Sequence, residues 1–302
     1  MNRMKASIYV LLGAASYGVV STLIKMAYQH GFATQEITGS QVLFGSLFLW
    51  LIALPSCFKK KTISRKHLIS LLLCGMVSGL TGIFYYLSLK TLSASLAIIL
   101  MFQFTWIGLL LEWRQTRNKP KWNHWMATLI ILCGSLLASA TQLEGDSLHL
   151  MGLVFGLLSA LTYALFIHFS GRVATEIHSL IRSASFVTGG LFTNLIIFSP
   201  AFLIEGKLLD GLWFWGLLIA LFGSIIPTVL FMKGIPHIGT GLASILGSVE
   251  LPVVIVAAAV FLHERTTTLQ WTGVWLILIG IFLSENKTIF QRRPFKEESS
   301  PR

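Results

Sequence analysis

Apolar residues in this chain come in unbroken runs of about 20, the length a helix needs to cross the hydrocarbon core of a bilayer. Ten runs can be read, at 4–28, 36–57, 67–89, 92–113, 123–140, 149–170, 181–204, 212–233, 238–262 and 268–285. The connections are short, and none can hold a soluble domain. The pattern predicts an all-α integral membrane protein with ten transmembrane helices. The first run is too long for the core of a signal peptide and is not followed by a small-x-small cleavage site, so it is read as a mature helix.

Composition agrees. The 302 residues are 54% hydrophobic and only 12% charged, with a mean hydropathy of +0.75. A soluble domain would carry about a quarter charged residues. The net charge of +11 raises the question of nucleic acid, but the cations sort by loop. With the N-terminus placed in the cytoplasm, 19 of the 23 Lys and Arg fall on the cytoplasmic side, clustered at Lys59–Lys66, Arg114–Lys121 and the tail. Only Lys90, Lys207 and Arg265 fall opposite, and Lys25 lies within the first run. The asymmetry predicts that both termini are cytoplasmic. Topology and contact with membrane lipid explain the charge, and no nucleic-acid partner is expected. Cys57, Cys74 and Cys133 show no ligand spacing and read as packing residues.

Shifted by 146 residues, the chain matches itself. Leu11–Gly18 falls on Leu157–Ala164, with Tyr17 on Tyr163, and Leu96–Leu100 falls on Leu242–Leu246. Trp125 falls on Trp271, Ala127 on Gly273, and Gly134 on Gly280. Each half then has five runs. An odd number places the halves in opposite orientations, an inverted repeat of the kind that rocks around a site at the bilayer midplane.

Five plus five spans, the Trp-x-(Ala/Gly)…Gly pattern ending each half, and Glu250-Leu251-Pro252 in the ninth run together resemble the EamA family of the drug/metabolite transporter superfamily. The resemblance covers about residues 5–285. It implies a first repeat at 1–140, a second at 141–286 and a cytoplasmic polar tail at 287–302. It also implies a multi-pass carrier of the bacterial inner membrane, moving amino acids or related small metabolites outward by alternating access. The central cavity it implies is lined by spans one, three, four, six, eight and nine. The first half departs from the pattern, because the shift sets Glu250 on Phe104, Pro252 on Trp106 and Glu264 on Asn118.

Glu250 is the sharpest candidate. A carboxylate at the centre of a span costs about 2.5–3.5 kcal/mol on insertion scales, and Pro252 removes a backbone hydrogen bond beside it. Two readings stand: a substrate ligand or proton acceptor, or a structural plug for backbone carbonyls that the proline frees. Gln103, Tyr17, Tyr163, Trp106, Thr81 and Tyr85 also lie near mid-depth and complete a candidate substrate site. Trp106, Tyr86, Phe102 and Phe104 could form an aromatic wall suited to an apolar side chain. Pro252 is expected to open its helix, and Pro227 to act as a hinge in span eight. Pro55 and Pro200 are expected to end the second span of each half. Asn194 reads as structural, Lys25 and His168 as interfacial, and Glu112 as an interfacial ion pair. Gly75, Gly79, Gly152 and Gly156 read as helix contacts.

Nothing in the sequence resembles a nucleotide-binding loop, a metal cluster or a nucleophile–base arrangement. The chain therefore reads as a secondary transporter of a small molecule, with proton coupling open, and as neither an enzyme nor a holder of a cofactor or metal. An importer, a multidrug exporter and a receptor or scaffold without transport are the alternatives.

Overall fold

The computed structural model describes residues 1–58, 64–89, 91–92, 94–139, 149–198, 200–203, 205–264 and 266–289. The expectations for Lys59–Lys61, Lys90, Arg265 and most of the tail lie outside the described residues, as does the Tyr86 side chain.

All regular structure among the described residues is helical. The first half comprises α1 (Arg3–Gln29), α2 (Thr34–Phe58), α3 (Arg65–Leu89), α4 (Ala94–Met101), α5 (Phe104–Thr116) and α6 (Trp122–Ser139). The second comprises α7 (Leu150–Arg172), α8 (Ser179–Ile197), α9 (Trp213–Ala220), α10 (Ile226–Ile238), α11 (Thr240–Gly247), α12 (Glu250–Phe261) and α13 (Thr268–Ile289). Nine helical segments among the described residues are long and apolar enough to cross a membrane. The helix α6, at the place of the fifth run, falls outside that group; its first turn reads Trp-Asn-His-Trp and lowers its hydropathy. Pro55 does not end α2 but sits inside it, three residues before its end.

Three of the apolar runs are not plain helices. The fourth is split between α4 and α5 at residues 102–103, and the ninth between α11 and α12 at 248–249. A shift of 146 carries one break onto the other, 102 onto 248 and 103 onto 249. Neither break unwinds the chain. Gln103 and Val249 keep right-handed helical angles, and the ladder tightens to i→i−3 bonds from Gln103 N–H to Leu100 O and from Val249 N–H to Leu246 O. Pro252 therefore tightens its helix locally rather than opening it, and the freed ladder is closed by backbone. The first half has the same break without a proline. There Gln103 Nε2 donates back to Ile99 O at 3.1 Å and its Oε1 accepts from Trp106 Nε1 at 2.8 Å.

The eighth run contains a π turn at Leu221–Ile225, just before Pro227. Proline has no N–H to give to the carbonyl four residues back, and other helices take up what the turn leaves open. Ser16 Oγ of α1 donates to Phe222 O at 2.7 Å, and Gln41 Nε2 of α2 donates to Gly223 O at 3.3 Å.

Most packing is between halves. The helix α1 packs on α10 and α12, α2 on α8 and α9, α3 on α7 and α8, α4 on α7, α5 on α11, and α6 on α13. Exchanging first-half helices for their second-half counterparts carries α1–α10 onto α3–α7 and α2–α9 onto α3–α8, and leaves α2–α8 and α6–α13 in place, whereas the α5–α11 packing is not matched between α4 and α12 among the described residues. The α6–α13 contact shows it atom by atom. A side chain at Gly134 would strike Gly273 O, and one at Gly280 would strike Ala127 O; the shift carries 134 onto 280 and 127 onto 273. Gly75 lies against Phe186 O and Gly189, and Gly79 against Gly190, so α3 and α8 cross at backbone contact.

Candidate functional site

A cavity of about 320 Å3 lies between the halves. It runs from mid-bundle towards the end where α1 finishes and α2 begins, since Ile24, Thr38 and Phe198 line it there. Tyr17, Thr81, Tyr85, Tyr163 and Glu250 all border it. Gln103 and Trp106 do not; they bond to each other on α4–α5, and their polar groups serve the break. Pro252 is buried in α12 and Pro227 in α10, with their neighbours Val254 and Thr228 on the wall instead.

Glu250 begins α12 at the break in the ninth run. Its Oε2 accepts the Tyr163 hydroxyl at 3.1 Å. The Tyr17 and Tyr163 rings meet edge to face, their centroids 6.2 Å apart; they are the pair that the shift superposes. Thr81 Oγ1 donates to Thr162 Oγ1 at 3.0 Å, joining α3 to α7 beside the cavity.

Aromatic rings close the inner side. Phe104 packs on Tyr163 at 4.7 Å between centroids, Phe166 on Phe186 at 5.3 Å, and Phe231 on Phe166 and Tyr17 at 5.7 and 6.0 Å. Phe102 and Phe104 are thus core side chains, both fully buried. Each such ring pair contributes about 0.5–1.5 kcal/mol beyond its buried area.

Two further clamps hold that side shut. Arg182 is only 1% exposed. Its guanidinium donates to Val173 O at 3.0 Å, Met232 O at 2.9 Å and Ser170 O at 2.7 Å, tying α8 to the end of α7 and to the middle of α10, where Pro236 has no N–H for the Met232 carbonyl. Glu112, expected in an ion pair, instead accepts the Gly241 N–H at 2.7 Å at the start of α11. It supplies an acceptor to a helix end that has lost its intrahelical partners. His168 sits close by, its Nδ1 3.4 Å from Thr240 Oγ1. At the opposite end Lys25 pairs with Glu264 at 2.8 Å, both about half exposed.

The cavity uses more helices than the resemblance implied. Gln41 and Thr38 bring in α2, and Asn194, read from the sequence as structural, brings in α8. Gln41 and Asn194 could have been flagged as amides within apolar runs. Arg182 carried the same signal, a cation two residues inside an apolar run. No group of three or more His, Cys, Asp or Glu able to hold a metal occurs among the described residues.

The model of the EamA-like transporter family matches residues 4–140 and again 150–285. The chain belongs to the EamA-like transporter family. It is therefore a multi-pass membrane protein of a family of transporters, with a small molecule as its substrate. An uncharacterized transporter of Synechocystis sp. is 25% identical over 91% of each chain. The uncharacterized transporter YcbK of Bacillus subtilis is 26% identical over 93% of this chain and 94% of its own length. GDP-fucose transporter 1 of Dictyostelium discoideum is 27% identical over 78% of this chain and 64% of that protein. A solved crystal structure, 13% identical, superposes on 97% of this chain with a TM-score of 0.75 and shares its fold.

Proposed function

We propose that this EamA-like protein is a secondary transporter that carries amino acids or related small metabolites outward across the bacterial inner membrane by alternating access. The observation that carries the reading is the cavity between the halves, with Glu250 at its inner end and three tyrosines on its walls. Ten spans, arranged as two inverted five-span repeats with both termini cytoplasmic, are part of the proposal. Contacts between helix ends support it, because each joins ends that ten alternating crossings put on one side. Ser7 meets Glu285, Asn123 meets Ser284 and His67 meets Glu176 on the cytoplasmic side, and Lys25 meets Glu264 outside. In that frame the cavity faces outward while Arg182, Glu112 and the aromatic layer close the cytoplasmic half.

Outward movement follows the family resemblance. The substrate named for the Dictyostelium relative is not carried over, because among the described residues no Lys, Arg or His borders this cavity to meet its phosphates.

Counterflow in proteoliposomes against a panel of labelled amino acids tests the reading, run on the wild-type protein and Glu250→Gln between about pH 5 and 8. Wild-type exchange should depend on pH. Glu250→Gln keeps size and hydrogen bonding but removes the titratable proton, so it should insert normally and lose that dependence, or exchange altogether. The other titratable groups on the cavity wall are the phenols of Tyr17, Tyr85 and Tyr163; a phenol does not ionise in this pH range, so they should not supply it. Unchanged exchange and an unchanged pH profile in a well-expressed variant would return Glu250 to a structural role.

A further inference from the structure

We propose that the cavity selects for an ammonium group: it takes small substrates that bring a protonated nitrogen to Glu250 and carry no net negative charge. An amine should therefore be accepted at least as well as the amino acid from which removal of CO2 would derive it. The inference rests on the reading of this cavity as the substrate site, and it narrows that reading to a chemical class.

Three features of the wall carry it. The first is charge. Glu250 borders the cavity, and among the described residues no lysine, arginine or histidine does. Of the cations on the surrounding helices, Lys25 is held by Glu264 and Arg182 by three backbone carbonyls. A substrate carboxylate or phosphate would thus meet one carboxylate and only neutral donors such as Gln41, Asn194 and Thr38, at a depth where uncompensated charge is costly.

The second feature is aromatic. Tyr17, Tyr85 and Tyr163 stand on three different helices around the cavity that Glu250 borders. A ring face attracts a cation within about 6 Å of its centroid, by about 0.5–1 kcal/mol at exposed sites and more when water is excluded. A carboxylate and several phenol rings together favour a nitrogen cation over any neutral or anionic group of the same size. The third is size. A cavity of about 320 Å3 is at the low end of the range of about 300–1,000 Å3 that holds drug-sized ligands. It suits a one-ring or short-chain amine better than a nucleotide.

The test reads occupancy directly. Ser78 lies on the cavity wall, so Ser78→Cys, in a chain whose native cysteines are replaced, reports access of a small thiol reagent. Phenethylamine should slow labelling at least as much as phenylalanine does, by about fivefold or more at saturation. N-acetylphenethylamine and GDP-fucose should not slow it. Adding Glu250→Gln should abolish protection by phenethylamine.

Equal protection by the N-acetyl compound, or protection by phenethylamine that survives Glu250→Gln, would overturn the ammonium proposal while leaving the cavity as a substrate site. Amino-acid counterflow without protection by any amine would overturn it in the same way. Absence of both protection and counterflow would remove the transport reading as well.

Discussion

At the scale of single residues, the sequence shows depth but not direction. Tyr17, Thr81, Tyr85, Tyr163, Gln103, Trp106 and Glu250 share roughly one depth, and that much was legible from distance to the ends of apolar runs. Which way each side chain points depends on helix rotation, set by packing that no single run encodes. Gln103 and Trp106 turn towards each other at the α4–α5 break, while the other five border the cavity. Arg182 was counted among the loop cations because it lies near a span end, yet it is almost fully buried. Its role depends on carbonyls left free at the end of α7 and opposite Pro236 in α10, a tertiary fact. Arg182→Lys replaces a planar fork of donors by one ammonium and cannot satisfy all three carbonyls. Thermal unfolding in detergent should show a loss of roughly 1–3 kcal/mol. An unchanged melting temperature would mean that water or backbone replaces the guanidinium at no cost.

At the scale of elements, hydropathy located the spans and the repeat located their counterparts, but the irregular turns were only half visible. Pro252 marked the ninth-span break. Its first-half twin at 102–103 has no proline, and Gln103 and Trp106 stabilise it with side-chain bonds that no motif announces. Pro227 marked the eighth span, while the π turn before it was not legible, and the amide of Gln41, visible within its apolar run, gave no sign that it closes that turn. Pro227→Ala restores an N–H that can bond Gly223 O, removing the reason for the π turn and displacing Gln41. If that turn works as the hinge, counterflow should slow several-fold while protection of Ser78→Cys by substrate stays within about twofold; equal exchange rates would show that the turn is only structural. Packing gives a second element-scale prediction. At Gly75 any side chain collides with the backbone of α8. Gly75→Leu should therefore prevent folding to a monodisperse protein in fluorescence-detected size exclusion, whereas Leu73→Phe, exposed on the same helix, should not.

At the scale of the whole molecule, the proposal is that the halves are one structure used twice. The constant shift of 146, the paired breaks and the reciprocal Gly134 and Gly280 contacts support it. Charge asymmetry gives its orientation. Gly145→Cys should react with a membrane-impermeant reagent only from outside, and labelling only from inside would reverse the scheme. Repeats of this kind move by rocking one unit against the other around a fixed site.

The most direct measurement of that claim is double electron–electron resonance on two spin-labelled pairs in lipid. Gln35→Cys with Val260→Cys reports the outer side, and Arg114→Cys with Lys233→Cys the cytoplasmic side; all four positions are exposed. Alternating access predicts that saturating substrate shortens the outer distance and lengthens the cytoplasmic one, in opposite senses and within the same sample. Distances that stay fixed with substrate, or that change together in one direction, would contradict it.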